Sequence, residues 1–318
     1  MFTLLILAYN EEKYIEETII KYVNDFEKIV VVNDASRDST LNILENLKLN
    51  YKNIEIINNL KNIGAGKSLE KAIKQINFEE TKYLIKIDGD NQFKYEDIIR
   101  LKNIAEKNKY DFIKCDRFWD GGIEGQIPMI RYLGNSFASL LLKISTSNWN
   151  LNDPLNGLFL ISTKYLQEFK IPKLFKRYGY PFYISTYFSN LSIEKNLKYC
   201  QVKNTISYGN ESSNLKATTM FFKLIIFTIY TLIKKIKQKM KYSSLQLTSI
   251  LDIFGFISFF SFIYSSVKLI SIRYFSIVAS QANWFNVSFV FLVLFVSIFF
   301  ISQKIEHRFK QSFFYEIS

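Results

Sequence analysis

Histidine and cysteine are nearly missing from this 318-residue sequence, and their scarcity removes whole classes of chemistry. The single histidine, His307, sits in the C-terminal tail, which argues against a histidine-built zinc site and a Ser-His-Asp triad. The two cysteines, Cys115 and Cys200, show no CxxC pattern and read as reduced thiols of a cytosolic protein. No zinc-finger spacing and no aromatic RNA-binding motif accompany the net charge of +12, so a nucleic-acid partner is not expected. Acidic residues are absent between Lys216 and Lys241, a stretch that holds seven lysines. That run lies beside apolar segments, where basic side chains meet anionic lipid headgroups. The N-terminus has no basic residue ahead of its apolar run, and Asn10-Glu11-Glu12 follows at once, so no signal peptide is expected.

What is abundant is apolar: 48% of residues are hydrophobic, and the aromatics include 30 Phe and 20 Tyr. They are unevenly placed. Residues 1–210 mix charges with short apolar runs, whereas from Ala217 onward long apolar stretches alternate with lysines. Residues 284–303 are uncharged, open on Trp284 and are long enough to span a bilayer. Residues 250–272 form a second candidate span, with Asp252 and Lys268 near its ends. Residues 218–233 read as an amphipathic helix lying in the interface. Two spans leave both ends on one side, and the lysine asymmetry places that side in the cytoplasm.

Within residues 1–210, apolar runs at 2–8, 29–32, 54–57 and 83–87 read as strands, with helices expected after Asn10 and at 40–49 and 65–76. Asn10 is the expected N-cap of the first helix, with Glu11, Glu12, Glu16 and Glu17 in its early turns. This alternation specifies an α/β fold with a mainly parallel sheet, which binds ligands at the carboxyl ends of its strands.

The sharpest chemical signal stands at such an end, in Ile85-Lys86-Ile87-Asp88-Gly89-Asp90-Asn91-Gln92. If the chain stays extended, Asp88, Asp90 and Gln92 project to one side and offer oxygen ligands to a hard cation, Mg²⁺ or Mn²⁺. Such a cation can stabilise a nucleoside diphosphate leaving group. A lookalike is excluded: Gly64-Ala65-Gly66-Lys67-Ser68 ends like a phosphate-binding Walker A loop, but the required glycine is replaced by Lys61.

Together with Leu7-Ala8-Tyr9-Asn10-Glu11, Val32-Asn33-Asp34-Ala35-Ser36, Asn62-Ile63-Gly64-Ala65-Gly66-Lys67 and Asp153-Pro154-Leu155-Asn156-Gly157, the Asp88 motif completes an ordered series. The series resembles the family-two glycosyltransferases of the GT-A fold, and among them the dolichyl-phosphate mannose synthases and bacterial polyprenyl-phosphate glycosyltransferases. The resemblance covers about residues 1–215. It implies that Ala8, Tyr9, Asn10, Glu11, Asp34, Gly64, Lys67, Asp88 and Gly89 bind the nucleotide sugar. It further implies that Asp88, Asp90 and Gln92 hold the metal. Asp153 and Asp90 take the catalytic positions, and Arg117, Arg131 and Asn135 face the acceptor phosphate. Asn33 and Ala35 depart from the family's usual Asp and Gly, and the 208–212 segment lacks its usual arginine.

The expected organisation is a GT-A domain at 1–210, a basic juxtamembrane helix at 211–243 and a membrane anchor at 244–318. The expected reaction is metal-dependent, inverting transfer of a hexose from a UDP- or GDP-sugar to a polyprenyl phosphate at the cytoplasmic face of the inner membrane. Asp153 would orient the reactants or assist deprotonation. A homo-oligomer is left open. The alternatives are a glycan or protein acceptor, or a catalytically silent membrane scaffold. A processive synthase is disfavoured because its Gln-x-x-Arg-Trp motif is absent.

Overall fold

The first apolar run becomes strand β1 (Phe2–Ala8), all seven residues of which are buried. A strand covered on both faces is apolar throughout, which is why this run does not alternate. After it come α1 (Ile15–Ile20), β2 (Lys28–Asn33), α2 (Thr40–Asn50), β3 (Ile54–Asn58), α3 (Ala65–Gln75) and β4 (Tyr83–Asp88). The chain continues through α4 (Tyr95–Asn108), β5 (Phe112–Asp116), β6 (Ile123–Glu124), α5 (Met129–Thr146), β7 (Phe159–Ser162), α6 (Tyr180–Lys195), β8 (Tyr199–Lys203) and β9 (Ile206–Ser207). Three long helices follow, α7 (Ala217–Lys239), α8 (Gln246–Tyr274) and α9 (Gln281–Gln311), and then a last strand, β10 (Phe314–Ile317).

This computed structural model describes residues 1–118, 123–124, 129–207, 217–242, 244–274 and 281–317. The 208–212 segment and Lys216 lie outside the described residues, as does most of the loop between the two candidate spans. Two units are formed: Met1–Thr146, Asn150–Ile226 and Phe313–Ser318 make the first, and Ser147–Trp149 with Phe227–Ser312 the second.

In the first unit eight strands form one sheet in the order β10-β8-β5-β7-β4-β1-β2-β3. Every pairing is parallel except those of β7, which runs antiparallel to both β4 and β5. The mainly parallel α/β expectation is met, with strand limits within a residue of those read from the sequence. One side of the sheet packs Leu4, Ile6, Ile29, Val31, Ile85 and Ile87 into a continuous core. The end of the chain closes one edge: Phe314 is buried against Tyr199, their ring centroids 5.2 Å apart, and β10 pairs along β8.

In the second unit α8 and α9 run antiparallel. Asp252 meets Ser302, Phe259 meets Phe295 and Ser266 meets Ser288, so one number falls as the other rises. Residues Gln246–Ile272 and Asn283–Gln311 are long and apolar enough to cross a membrane. Large apolar side chains such as Phe254, Phe260, Phe285 and Phe289 are exposed on them. The lysine run does not lie wholly at the surface. Lys235 and Lys239 are buried, with Lys235 2.7 Å from Glu306 and Lys239 2.6 Å from Asp252. The acids that neutralise them come from α8 and α9, Asp252 13 positions and Glu306 67 positions beyond Lys239, so a charge count over the lysine run alone could not anticipate the pairing.

Candidate active site

The register brings the carboxyl ends of β1, β2 and β4 level, with Ala8 paired to Asn33 and Leu7 to Asp88. Three loops leave this edge. The first does not start a helix at Asn10. That residue adopts a left-handed φ of 59°, and α1 begins only at Ile15. Asn10 instead braces the loop after β2: its Oδ1 accepts from the Arg37 amide at 2.8 Å, and its own amide donates to Ser36 Oγ at 3.0 Å. The Glu11 amide donates to Thr40 Oγ1, and Glu12 accepts from the Ser39 amide. Glutamates expected to serve the helix dipole therefore include one that ties two loops together. Tyr9 is exposed beside them, and Asn10, Glu12, Lys13, Tyr14, Arg37 and Asp38 line an open cleft.

Asp34 is buried, and its carboxylate organises the loop ahead of α3. Oδ1 accepts from Asn59 Nδ2 and the Ile63 amide, both at 2.9 Å, and Oδ2 accepts from the Gly64 amide at 2.8 Å. Gly64 needs to be glycine: its φ is 91°, and a Cβ there would lie 2.4 Å from Arg177 Cγ. The ammonium of Lys67 meets Glu70 at 2.6 Å, one helical turn on. Asn33, in place of the family's usual Asp, donates through Nδ2 to Asn58 and accepts from the Ser36 amide. Ala35, in place of the usual Gly, carries a left-handed φ of 59°. A Cβ in that region costs about 1–2 kcal/mol, part of which glycine gives back through unfolded-state entropy. Ala35→Gly is expected to raise the unfolding free energy by about 0.5–1 kcal/mol in urea titrations; a loss of stability would show that Ala35 is not strained.

β4 ends at Asp88, and the extended course expected through Gln92 is not kept. Asn91 turns into the left-handed region, its Oδ1 accepts from the Lys21 ammonium at 3.2 Å, and Asp90 Oδ1 accepts from the Gln92 amide at 3.3 Å. Strand alternation thus places Asp88, while a tight turn places Asp90 and Gln92. All three are part-exposed. Asp88 Oδ1 accepts from Lys86 Nζ at 2.6 Å, and the backbone of Gly157 lies against Oδ2, where a Cβ would stand 2.4 Å away. Burial, then the charges of Asp88 and Asp90, push the Tyr180 hydroxyl well above its ordinary pKa. Among the described residues no three His, Cys, Asp or Glu side chains gather into a ready-made metal cage. Two carboxylates, one kept accessible by a glycine, and a nearby carboxamide instead suit a hard cation that completes its shell with diphosphate oxygens. The residues fit the implied Mg²⁺ or Mn²⁺.

The turn that carries Gly157 also carries Asp153, which is completely buried and has a φ of 46°. Arg117 grips its carboxylate with both arms, Nε to Oδ2 at 2.7 Å and Nη2 to Oδ1 at 2.8 Å, while the Arg117 amide donates to Oδ2 at 2.9 Å. Burial alone would raise the Asp153 pKa, but Arg117 and then Lys114 outweigh it and hold the carboxyl below its usual range. Lys114, itself fully buried, donates to the Asp153 carbonyl at 2.6 Å. Arg131 and Asn135 lie one turn apart on α5, which approaches Arg117 through the Phe118–Tyr132 ring contact at 5.8 Å. Asn135 is buried, and among the described residues its Oδ1 has no hydrogen-bond partner. Lys86, Lys114, Gly157 and Tyr180 belong to the site although the sequence alone gives none of them a role. Lys86 and Gly157 stand inside the Asp88 and Asp153 motifs, whereas Lys114 and Tyr180 stand in none.

The family model described as glycosyl transferase family 2 matches residues 3–170. An uncharacterised protein of Methanocaldococcus jannaschii is 33% identical over 177 residues, covering 52% of this chain and 73% of its own length. A dolichyl-phosphate β-glucosyltransferase of Trichomonas vaginalis is 26% identical over 156 residues, covering 44% of this chain and 45% of its own. Among solved structures, a mannosyltransferase of Pyrobaculum calidifontis in complex with GDP-mannose and Mn²⁺ is 11% identical, covering 96% of this chain and 86% of its own, with a TM-score of 0.47.

Proposed function

The chain belongs to glycosyl transferase family 2, and from that premise we propose that it transfers a hexose from a UDP- or GDP-sugar to a polyprenyl phosphate. The observation that carries this reading is the pair Asp88 and Asp90 at the carboxyl end of β4, with Gly157 placing no side chain against Asp88 Oδ2. Asp88, Asp90 and Gln92 would hold Mg²⁺ or Mn²⁺, which would supply positive charge to the departing diphosphate. Ala8, Tyr9, Asn10, Glu11, Asp34, Gly64, Lys67 and Gly89 would shape the nucleotide pocket, Asp34 by fixing the loop that Gly64 turns.

The acceptor reading draws on three supports: the relative named for dolichyl phosphate, the two apolar helices, and the basic and polar set Arg117, Arg131 and Asn135. A phosphate monoester is anionic at neutral pH and attacks the anomeric carbon without a strong base. Asp153, ionised and taken up by Arg117, orients that guanidinium; positioning and charge complementarity supply the acceleration. The chain leaves the first unit after Ile226 and rejoins it at Phe313, where β10 pairs with β8. A bilayer is then crossed an even number of times in between, by α8 and α9, while α7 lies along the interface with Phe222 and Ile226 exposed. The positive-inside rule assigns residues 1–226 to the cytoplasmic face of the membrane.

The test is to incubate membranes containing the full chain with UDP-glucose or GDP-mannose and dolichyl or undecaprenyl phosphate, and to read the lipids by mass spectrometry. A polyprenyl phosphate heavier by one hexose is expected. Transfer to a soluble glycan, with both lipids ignored, would overturn the acceptor and leave the sugar transfer standing.

A further inference from the structure

Lys86 and Asp88 are two positions apart on β4, so the alternation of the strand puts both side chains on one face of the sheet. Lys86 is 0% exposed, and among the described residues Asp88 is the one carboxylate that pairs with its ammonium, at 2.6 Å. The ring of Tyr180, at the start of α6 and also buried, has its centroid 5.2 Å from the same ammonium. Gly157 comes so close that a Cβ would stand 3.1 Å from Lys86 Nζ. Strand, ring and glycine together leave the lysine no route to solvent, so its charge stays on Asp88.

A fixed, poorly screened positive charge changes what the motif offers. Asp88 and Asp90 bring two negative charges and Lys86 cancels one of them. A divalent cation approaching the bare protein must share the Asp88 carboxylate with an ammonium that salt screens only weakly. A nucleoside diphosphate restores the missing negative charge from the other side. We propose that Lys86 is a positioning residue that makes cation binding conditional on the nucleotide: the cation and the diphosphate enter together, and the bare site holds the cation only weakly. The proposal rests on the metal reading of Asp88 and Asp90. A lysine present only to support the fold would leave cation affinity untouched.

Titration of Mn²⁺ into the full chain separates these cases, with bound ion read from the loss of the free Mn²⁺ resonance, in the absence and presence of UDP or GDP. The wild-type chain is expected to bind Mn²⁺ at least about tenfold more tightly with a nucleoside diphosphate than alone. Lys86→Met and Lys86→Gln remove the charge and are expected to tighten binding of Mn²⁺ alone by about tenfold or more, whereas Lys86→Arg keeps the wild-type pattern. Asp88 is part-exposed, so losing Lys86 leaves no fully buried orphan charge, and thermal melting checks each variant. If Lys86→Met fails to fold, Lys86→Gln, which can still donate to Asp88, carries the test. Unchanged Mn²⁺ affinity in the folded neutral variants overturns the role of Lys86 and leaves the metal reading intact. A wild-type chain that binds no Mn²⁺ even with UDP or GDP removes the metal reading and this proposal with it.

Discussion

Asp90→Asn is expected to lower turnover at least about a hundredfold, a loss of roughly 3 kcal/mol of transition-state stabilisation, while the melting temperature stays near that of the wild type. Asp90 is part-exposed in the turn after β4, and its Oδ1 accepts from the Gln92 amide. An asparagine oxygen preserves that bond, so the turn survives. What goes is one of two negative charges beside the departing diphosphate, and Lys86 already neutralises the other. The substitution therefore removes a carboxylate charge other than the one Lys86 offsets, which is why a single isosteric change is expected to have so large an effect. Initial rates of hexose transfer set against a thermal melt make the check. Full activity in Asp90→Asn would show that the motif does not carry the chemistry.

Arg117→Ala is expected to cost about 3–5 kcal/mol in stability, because Asp153 is left as a buried charge without its guanidinium. Lys114 does not replace it, since the lysine donates to the Asp153 carbonyl. The signature lies in the pairing: Asp153→Asn on the Arg117→Ala background should recover much of the loss, giving a coupling of about 2 kcal/mol or more. The direction with pH follows from the depressed Asp153 pKa. The folded state binds this proton less readily than the unfolded state, so the pair stabilises the protein above the ordinary carboxylate range. That stability is lost as pH falls through the folded-state value. Urea unfolding from pH 7 down to pH 3 should show an acid-side decline in the wild type that is shallower in the double variant. A cost below about 1 kcal/mol for Arg117→Ala would mean that Asp153 finds another partner.

The strands of the sheet were readable because each is an apolar run closed by polar turn residues, and β1, β2 and β4 needed no distant partner to be recognised. Their carboxyl ends carry most of the residues that the family resemblance selects. Misreadings arose where a side chain serves a distant segment. Asn10 has the chemistry of an N-cap, yet its oxygen goes to the Arg37 amide, so α1 starts later. The alternation that places Asp88 fails at Asn91, whose left-handed backbone is accompanied by a side-chain bond from Lys21, just past α1. Arg117 and Asp153 were each visible in the sequence, but their bidentate union spans 36 positions and leaves no periodic trace. Lys235 and Lys239 looked like surface charge for the same reason, since Asp252 and Glu306 reach them from other helices.

The pairing of β10 with β8 also sets an order of events during synthesis. Until β10 docks, β8 is the outer strand, presenting unpaired amides and carbonyls that invite another chain to bind. More than a hundred residues, including both apolar helices, separate Lys203 from Ile317. At ordinary elongation rates the ribosome needs on the order of ten seconds to make them. Both helices are thus made before the sheet is whole, and the β8 edge stays open while they are synthesised.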